Sequence, residues 1–213
     1  MIQCLNCRGC PGLNNLPNTG AWQNWDNDYN PVVNSLQEIE LLIVGQDPYK
    51  TRATGIAFCK PTWLELLDNQ YSALTLFCSL GIQLKKAFFD ADHFPTPKEF
   101  FIWLAKKFKV VFVNAHNSNG RRVRESKIWL KNAKYSLLLG YESQKLHKNE
   151  DGKNFHIIHP SQYNENANYA DWCSAWGCHT SLLDTIKSKC QKYNSLQSYK
   201  EICTIVNNIN LNL

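Results

Sequence analysis

No apolar run in the sequence approaches the length of a membrane span, so no transmembrane helix is expected. Met1 to Gly20 hold no apolar core segment, and a secretory signal is not expected either. Repeats are absent, and no composition shift marks a domain boundary, so residues 1–213 are expected to form one domain. A strong charge of either sign is also absent. The net charge of +5 and pI near 8.7 are compatible with a polyanionic partner without demanding one. There is no regular cysteine framework: the nine cysteines are an odd number, and most are expected to be reduced thiols. The absence of a signal and of a span points to a cytoplasmic protein, or a nuclear one in a eukaryotic host, with no membrane partner, and a monomer is expected.

What is present is a set of short apolar runs that each end on a polar residue. Leu41-Leu42-Ile43-Val44 has no polar alternation, as expected of a strand buried on both faces of a parallel sheet. It stops at Gly45 and is followed by Gln46, Asp47, Pro48 and Tyr49. Pro48 fixes its own φ and keeps Asp47 out of helical geometry, so a carboxylate sits on a stiff turn past the strand end. Val110-Val111-Phe112-Val113 ends on Asn114, and Phe155-His156-Ile157-Ile158 ends on His159-Pro160-Ser161. If these strands are parallel, Asp47, Asn114 and His159 share one rim, where open α/β sheets bind ligands.

With 44% hydrophobic residues over 213, the chain is long enough for one α/β domain. Residues 1–35 read as an irregular arm pinned by Trp22, Trp25 and Tyr29, with a turn or short helix from Asn30 through Leu36. Leu64, Leu67, Tyr71, Leu74 and Phe77 fit one buried helical face, and a second helix is expected from Gly81 to Phe89 with Lys85 and Lys86 in solvent. Thr96-Pro97-Lys98-Glu99 reads as a helix start with Thr96 as cap and Pro97 first; that helix ends near Lys107. Arg121, Arg122 and Arg124 precede a helix from Glu125 to Asn132, and a third strand, Tyr135–Leu139, leads to Gly140 and a short helix. A long helix is expected over Asn168–Lys189, with Trp172, Trp176, Leu182, Leu183 and Ile186 inward, and residues 194–213 form a tail with helix near 196–207. Strands alternating with helices give α/β architecture, a three-layer α/β/α domain around a four-stranded parallel sheet.

Cys4, Cys7 and Cys10, spaced C-x2-C-x2-C, suit an iron–sulfur cluster or a zinc site with one more ligand from Cys173, Cys178, His179, Cys190 or Cys203. The alternative is a thiol-rich segment packed on the domain.

GQDPY, Phe58 in GIAF, Asn114 in VFVNA and HPSQY together resemble the motifs of family-1 uracil-DNA glycosylases, in order and spacing, over roughly residues 40–190. The short segment from Asp47 to Phe58 resembles compact poxvirus-type members. The resemblance implies a uracil-DNA glycosylase-like fold and hydrolysis of the N-glycosidic bond of uracil flipped out of single- or double-stranded DNA. The product is an abasic site in base-excision repair. It implies Asp47 and His159 as catalytic residues. Asp47 orients water and favours the cationic sugar, and a neutral His159 donates to uracil O2. The backbone N–H groups of Gln46 and Asp47 are further donors. Phe58 stacks on the base. Asn114 donates to O4 and accepts from N3–H, a pattern cytosine inverts. Tyr49 presses on C5, where a thymine methyl clashes. Pro48, Thr62, Ser72, Pro160, Ser161 and Tyr163 fall on DNA-facing loops. Arg121, Arg122 and Arg124 face either DNA or solvent. The chemistry requires no metal or other cofactor.

Three departures stand out. Tyr163 occupies the position of the wedge leucine in HPSPLS, Asn164 that of a second serine, and Lys50 that of the usual histidine. They put in question flipping efficiency, substrate preference and recognition by the phage-type protein inhibitor of these enzymes. Two rival readings are a non-catalytic DNA-binding or replication accessory module on the same fold, and a glycosylase of shifted base specificity.

Overall fold

The computed structural model describes residue 26 and residues 28–46, 54–67, 72–115, 124–160 and 181–213. At its centre are four strands, β1 (Ile39–Gly45), β2 (Val110–Asn114), β3 (Ala133–Leu139) and β4 (Asn154–Ile157). They pair in the order β2-β1-β3-β4, and every pairing is parallel. The unbroken apolar runs therefore mean what they should: Leu41, Leu42, Ile43 and Val44 are buried, as are Val110 to Val113 and Leu137 to Leu139. Helices flank the sheet in a three-layer α/β/α arrangement, as the alternation of elements anticipates.

The helices, in chain order, are α1 (Tyr29–Ser35), α2 (Trp63–Leu66), α3 (Ser72–Ser79), α4 (Leu84–Phe89), α5 (Pro97–Phe108), α6 (Arg124–Asn132), α7 (Tyr141–Gln144), α8 (Ser181–Lys192) and α9 (Leu196–Leu211). Helix α5 packs on β2 with α1 beside it, α6 lies over β1 and β3, and α8 pairs with α9. Its start is the capping box legible in the sequence. The Glu99 carboxylate accepts from the Thr96 backbone N–H at 3.0 Å and from the Thr96 hydroxyl, and Pro97 fills the first helical position. At the other end Lys109 turns left-handed, with φ 53°, and feeds the chain straight into β2.

The core beside β2 is aromatic. Phe112 lies 4.7 Å from Phe101 and 5.4 Å from Phe77 between ring centroids, and Phe77 lies 5.7 Å from Phe100. Pairs of this kind contribute roughly 0.5–1.5 kcal/mol each beyond their buried area. The outer edge of β2 is closed by Tyr29, which is fully buried. Its hydroxyl accepts from the Phe112 backbone N–H at 2.8 Å and donates to the Phe112 carbonyl at 3.4 Å. One side chain thus satisfies an edge donor and an edge acceptor together. The outer edge of β4 is closed differently. The Glu150 carboxylate accepts the His156 N–H at 2.8 Å.

Several boundaries shift from expectation. β1 and β3 begin earlier, at Ile39 and Ala133, which pair with each other ahead of the apolar runs, while Glu40 and Lys134 beside them are less buried than the residues that follow. The single buried face expected from Leu64 to Phe77 divides between α2 and α3, and Leu64 is 77% exposed. Trp63 and Leu66 are buried in its place. The short turn capped by Thr62 points Trp63 inward, where its indole N–H reaches the Phe94 carbonyl at 2.8 Å. Helix α4 begins at Leu84, after Gly81 turns the chain at φ +79°. The expected tail helix runs further, to Leu211, and Leu182, Leu183 and Ile186 are buried as anticipated. Trp22, Trp25, Trp172 and Trp176 lie outside the described residues.

Candidate active site at the strand exits

The strands leave the sheet at one end, and there two of them end on glycine. Gly45 closes β1 directly beside Asn114, the last residue of β2. A Cβ on Gly45 would stand 2.9 Å from Phe58 Cε2 and 3.0 Å from Asn114 Oδ1. The phenyl ring and the carboxamide therefore close on the same point, and only a residue without a side chain leaves them room. Asn114 is 5% exposed, held at the floor of the rim rather than out in solvent.

Phe58 reaches Gly45 through an unusual backbone. Its φ is 64°, left-handed for a bulky side chain, a conformation costing on the order of 1–2 kcal/mol. The strain is held by what surrounds it. Ile56, Ala57 and Cys59 are all buried, and Cys59 N–H donates to the Ile56 carbonyl at 3.2 Å. Burial pushes the Cys59 thiol up to about 12, so this cysteine stays protonated and is no nucleophile.

His159 follows β4 by two residues and packs on the second glycine. Leu139 pairs with Ile157, so the chain leaving β3 runs beside the chain leaving β4. Gly140 has φ +83°, donates its N–H to the Ile157 carbonyl at 2.8 Å, and lies so close to His159 that an added Cβ would be 3.0 Å from the histidine Cβ. From there the imidazole meets Phe58, with ring centroids 6.0 Å apart and planes 26° from parallel. Phe58 thus shares the space over Gly45 with the carboxamide and stacks toward the imidazole on its other side. A flat aromatic face, an amide and an imidazole at one rigid edge can hold a planar heterocycle with polar edges.

Of the residues named from the sequence, Phe58, Asn114 and His159 come together here. Gln46 is an exposed bend just past β1. Asp47, Pro48, Tyr49, Lys50, Ser161, Tyr163 and Asn164 lie outside the described residues, as do Arg121 and Arg122, whereas Arg124 opens α6. Pro160 is buried directly after His159. Thr62 is exposed, but its hydroxyl is engaged in capping α2, accepting from Glu65 N–H at 3.3 Å and donating to the Glu65 carboxylate at 3.0 Å. Ser72 is 1% exposed, with its hydroxyl enclosed and without a hydrogen-bond partner among the described residues. In this arrangement Ser72 does not present itself to a phosphate, because the first turn of α3 folds inward.

The sequence reading did not single out Gly45 and Gly140 as site residues. Their signal was nonetheless visible: each follows an apolar run and interrupts it at the strand exit.

Cys4, Cys7 and Cys10 lie outside the described residues, with Cys173, Cys178 and His179. Among the described residues no group of three or more His, Cys, Asp or Glu side chains is arranged to hold a metal ion. Cys59, Cys190 and Cys203 are free thiols. Among the described residues no helix is long and apolar enough to cross a membrane.

A cavity of about 430 Å³ opens at the opposite end, where the strands enter the sheet, lined in part by Glu40, Lys109, Lys134, Glu201 and Asn208. Three of its charges are tied together: Lys134 Nζ lies 2.7 Å from Glu201 and 3.7 Å from Glu40.

No family model, curated protein or solved structure matches the chain.

Proposed function

We propose that this chain is a monofunctional uracil-DNA glycosylase acting on uracil extruded from single- or double-stranded DNA. The observation that carries the reading is the meeting of Phe58, Asn114 and His159 around the two glycines at the strand exits. They come from three separate segments of the chain, at the ends of β1's loop, β2 and β4.

In this reading the extruded base lies on the face of Phe58. The Asn114 amide donates to uracil O4 and accepts from N3–H. Cytosine offers the opposite edge and leaves buried groups unpaired, a strong basis for rejection. As the bond between C1′ and N1 breaks, its electron pair moves onto the base. His159 donates a hydrogen bond to O2, where the negative charge gathers. Asp47 orients a water whose oxygen bonds to C1′, and the free uracil and an abasic sugar result. Tyr49 presses on C5 and turns away the thymine methyl. The close fit around Gly45 and Gly140 keeps ring, amide and imidazole in place before substrate arrives, which is how preorganised sites lower a barrier.

The direct test is excision from oligonucleotides carrying U:A, U:G or single-stranded uracil, beside a thymine control. Uracil release without thymine release is expected; no release from any uracil substrate overturns the reading. Asn114→Asp provides the specificity test. Its ionised carboxylate has no donor for uracil O4 but can accept from the cytosine amino group, and measurable cytosine excision is expected together with a loss on uracil of about 100-fold or more. Unchanged selectivity removes Asn114 from base recognition.

A further inference from the structure

Two large apolar side chains stand exposed beside the site, and neither has a part in the chemistry just described. Tyr141, the residue after Gly140, is 72% exposed, and Ile158, the residue before His159, is 55% exposed. Single exposed apolar side chains are ordinary on any protein surface. These two are different in placement. The pairing of Leu139 with Ile157 sets the exits of β3 and β4 side by side, so both belong to the strip of rim that carries His159. Tyr141 is also held. Lys145 Nζ sits 4.2 Å from the centroid of its ring and is itself anchored to the Glu142 carboxylate at 2.5 Å. The ammonium covers one face of the phenol, and the high exposure leaves the other face to a ligand.

We propose that Tyr141 is the stacking platform for the nucleobase next to the extruded one in the DNA strand, with Ile158 as the apolar edge of the same platform. This rests on the glycosylase reading above. A base whose neighbour has been pulled out loses one stacking partner, and a fixed aromatic ring at the mouth of the pocket replaces it. Stacking of this kind tolerates any base, because every base has a π face. It also matters most where no complementary strand holds the neighbour in place, so Tyr141 favours single-stranded substrate.

The test is a cycle that pairs a change in the protein with a change in the DNA. The probe is a fluorescent single-stranded oligonucleotide with one uracil nucleotide, fluorinated at the sugar 2′ position to resist cleavage, read by anisotropy. Two further oligonucleotides each lack one neighbouring base, replaced by a tetrahydrofuran abasic analogue. Tyr141→Ser is expected to weaken binding of the intact probe on the order of tenfold, and Tyr141→Phe to restore it. Removing the base on one side should cost the wild-type protein a similar factor and cost Tyr141→Ser little. Wild-type affinity in Tyr141→Ser, or two losses that simply multiply, overturns the platform. Excision by the wild-type protein is run beside it on ordinary uracil DNA. Excision with no coupling removes the platform alone, whereas a protein that neither excises nor binds removes the glycosylase reading, and the platform with it. Because Tyr141 is exposed, a thermal melt that matches wild type suffices to show that Tyr141→Ser is folded.

Discussion

Where the strands leave the sheet, Gly45 and Gly140 carry no side chains, and an aromatic ring, a carboxamide and an imidazole crowd into the space. Where the strands enter it, Glu40 and Lys134 carry long charged side chains, and the Lys134 ammonium ties Glu40 to Glu201 of α9. The first end is close-packed around backbone, with prospective Cβ contacts near 3 Å. The second is wet, and its geometry rests on flexible ion pairs worth little each. The difference teaches where the molecule tolerates change. Crowding against backbone cannot relax without moving the neighbour, whereas an exposed ion pair has water as its alternative.

That contrast can be broken most forcefully at the exit end. Asp47→Asn and His159→Leu should each reduce single-turnover uracil excision by about 100- to 1,000-fold or more, the range seen when a positioned base or a transition-state donor is removed. Rates near wild type in both would sink the mechanism.

Next come the glycines. Gly45→Ala drives a methyl into Phe58 and Asn114, and an excision loss on the order of 100-fold is expected from misplacement alone. Gly140→Ala forces φ +83° on a residue with a Cβ and presses on His159, costing about 1–2 kcal/mol of stability by chemical denaturation as well as activity. Full activity in both alanine variants would mean that the exit end is looser than its distances imply.

Tyr29→Phe separates stability from function. It strands the buried Phe112 N–H at the edge of β2, with an expected cost of about 1–3 kcal/mol and little effect on excision rate. An unchanged denaturation midpoint would show that water reaches that edge.

The smallest effect belongs to the entry end. Lys134 beside Glu201, with Gln197 and Tyr135, holds that carboxyl down to about 2, below the usual glutamate value of 4.5. A depressed carboxyl contributes stability that is present above its unfolded value and is lost as pH falls through its folded one. The contribution should therefore fade between about pH 4.5 and about pH 2. Because the pair is exposed, solvent screening keeps it small. Glu201→Gln should flatten the acid limb of a stability–pH curve by no more than a few tenths of a kcal/mol. A loss as large as that in Gly140→Ala would make the two ends alike.

Much of this architecture is written in local pattern. The apolar runs at 41–44, 110–113 and 135–139 announced buried parallel strands, because a strand covered on both faces has no use for alternation, whereas the run at 155–158 misled: β4 is buried only at alternate residues, and Ile158 lies past its end, exposed. Thr96, Pro97 and Glu99 announced the start of α5, because capping acts within three residues. Asn114 and His159 were legible as site residues for the same reason: a polar side chain ending a buried strand in an α/β sheet arrives at the ligand-binding edge. The periodicity through Leu64 failed because it assumed one helix. A four-residue turn fixed by Trp63 and the Phe94 carbonyl reset the phase.

What the sequence by itself determined was the set of elements, the parallel sheet and the identity of the residues delivered to its exit edge, since propensity, capping and burial periodicity all act over a few residues. Only the tertiary structure decided that Phe58 turns left-handed to lie over Gly45, that His159 rests on Gly140, and that Tyr29 seals Phe112 from 83 residues away. Those contacts join segments far apart in the chain, and which of them form depends on how the whole core packs, a property that no short stretch of sequence carries.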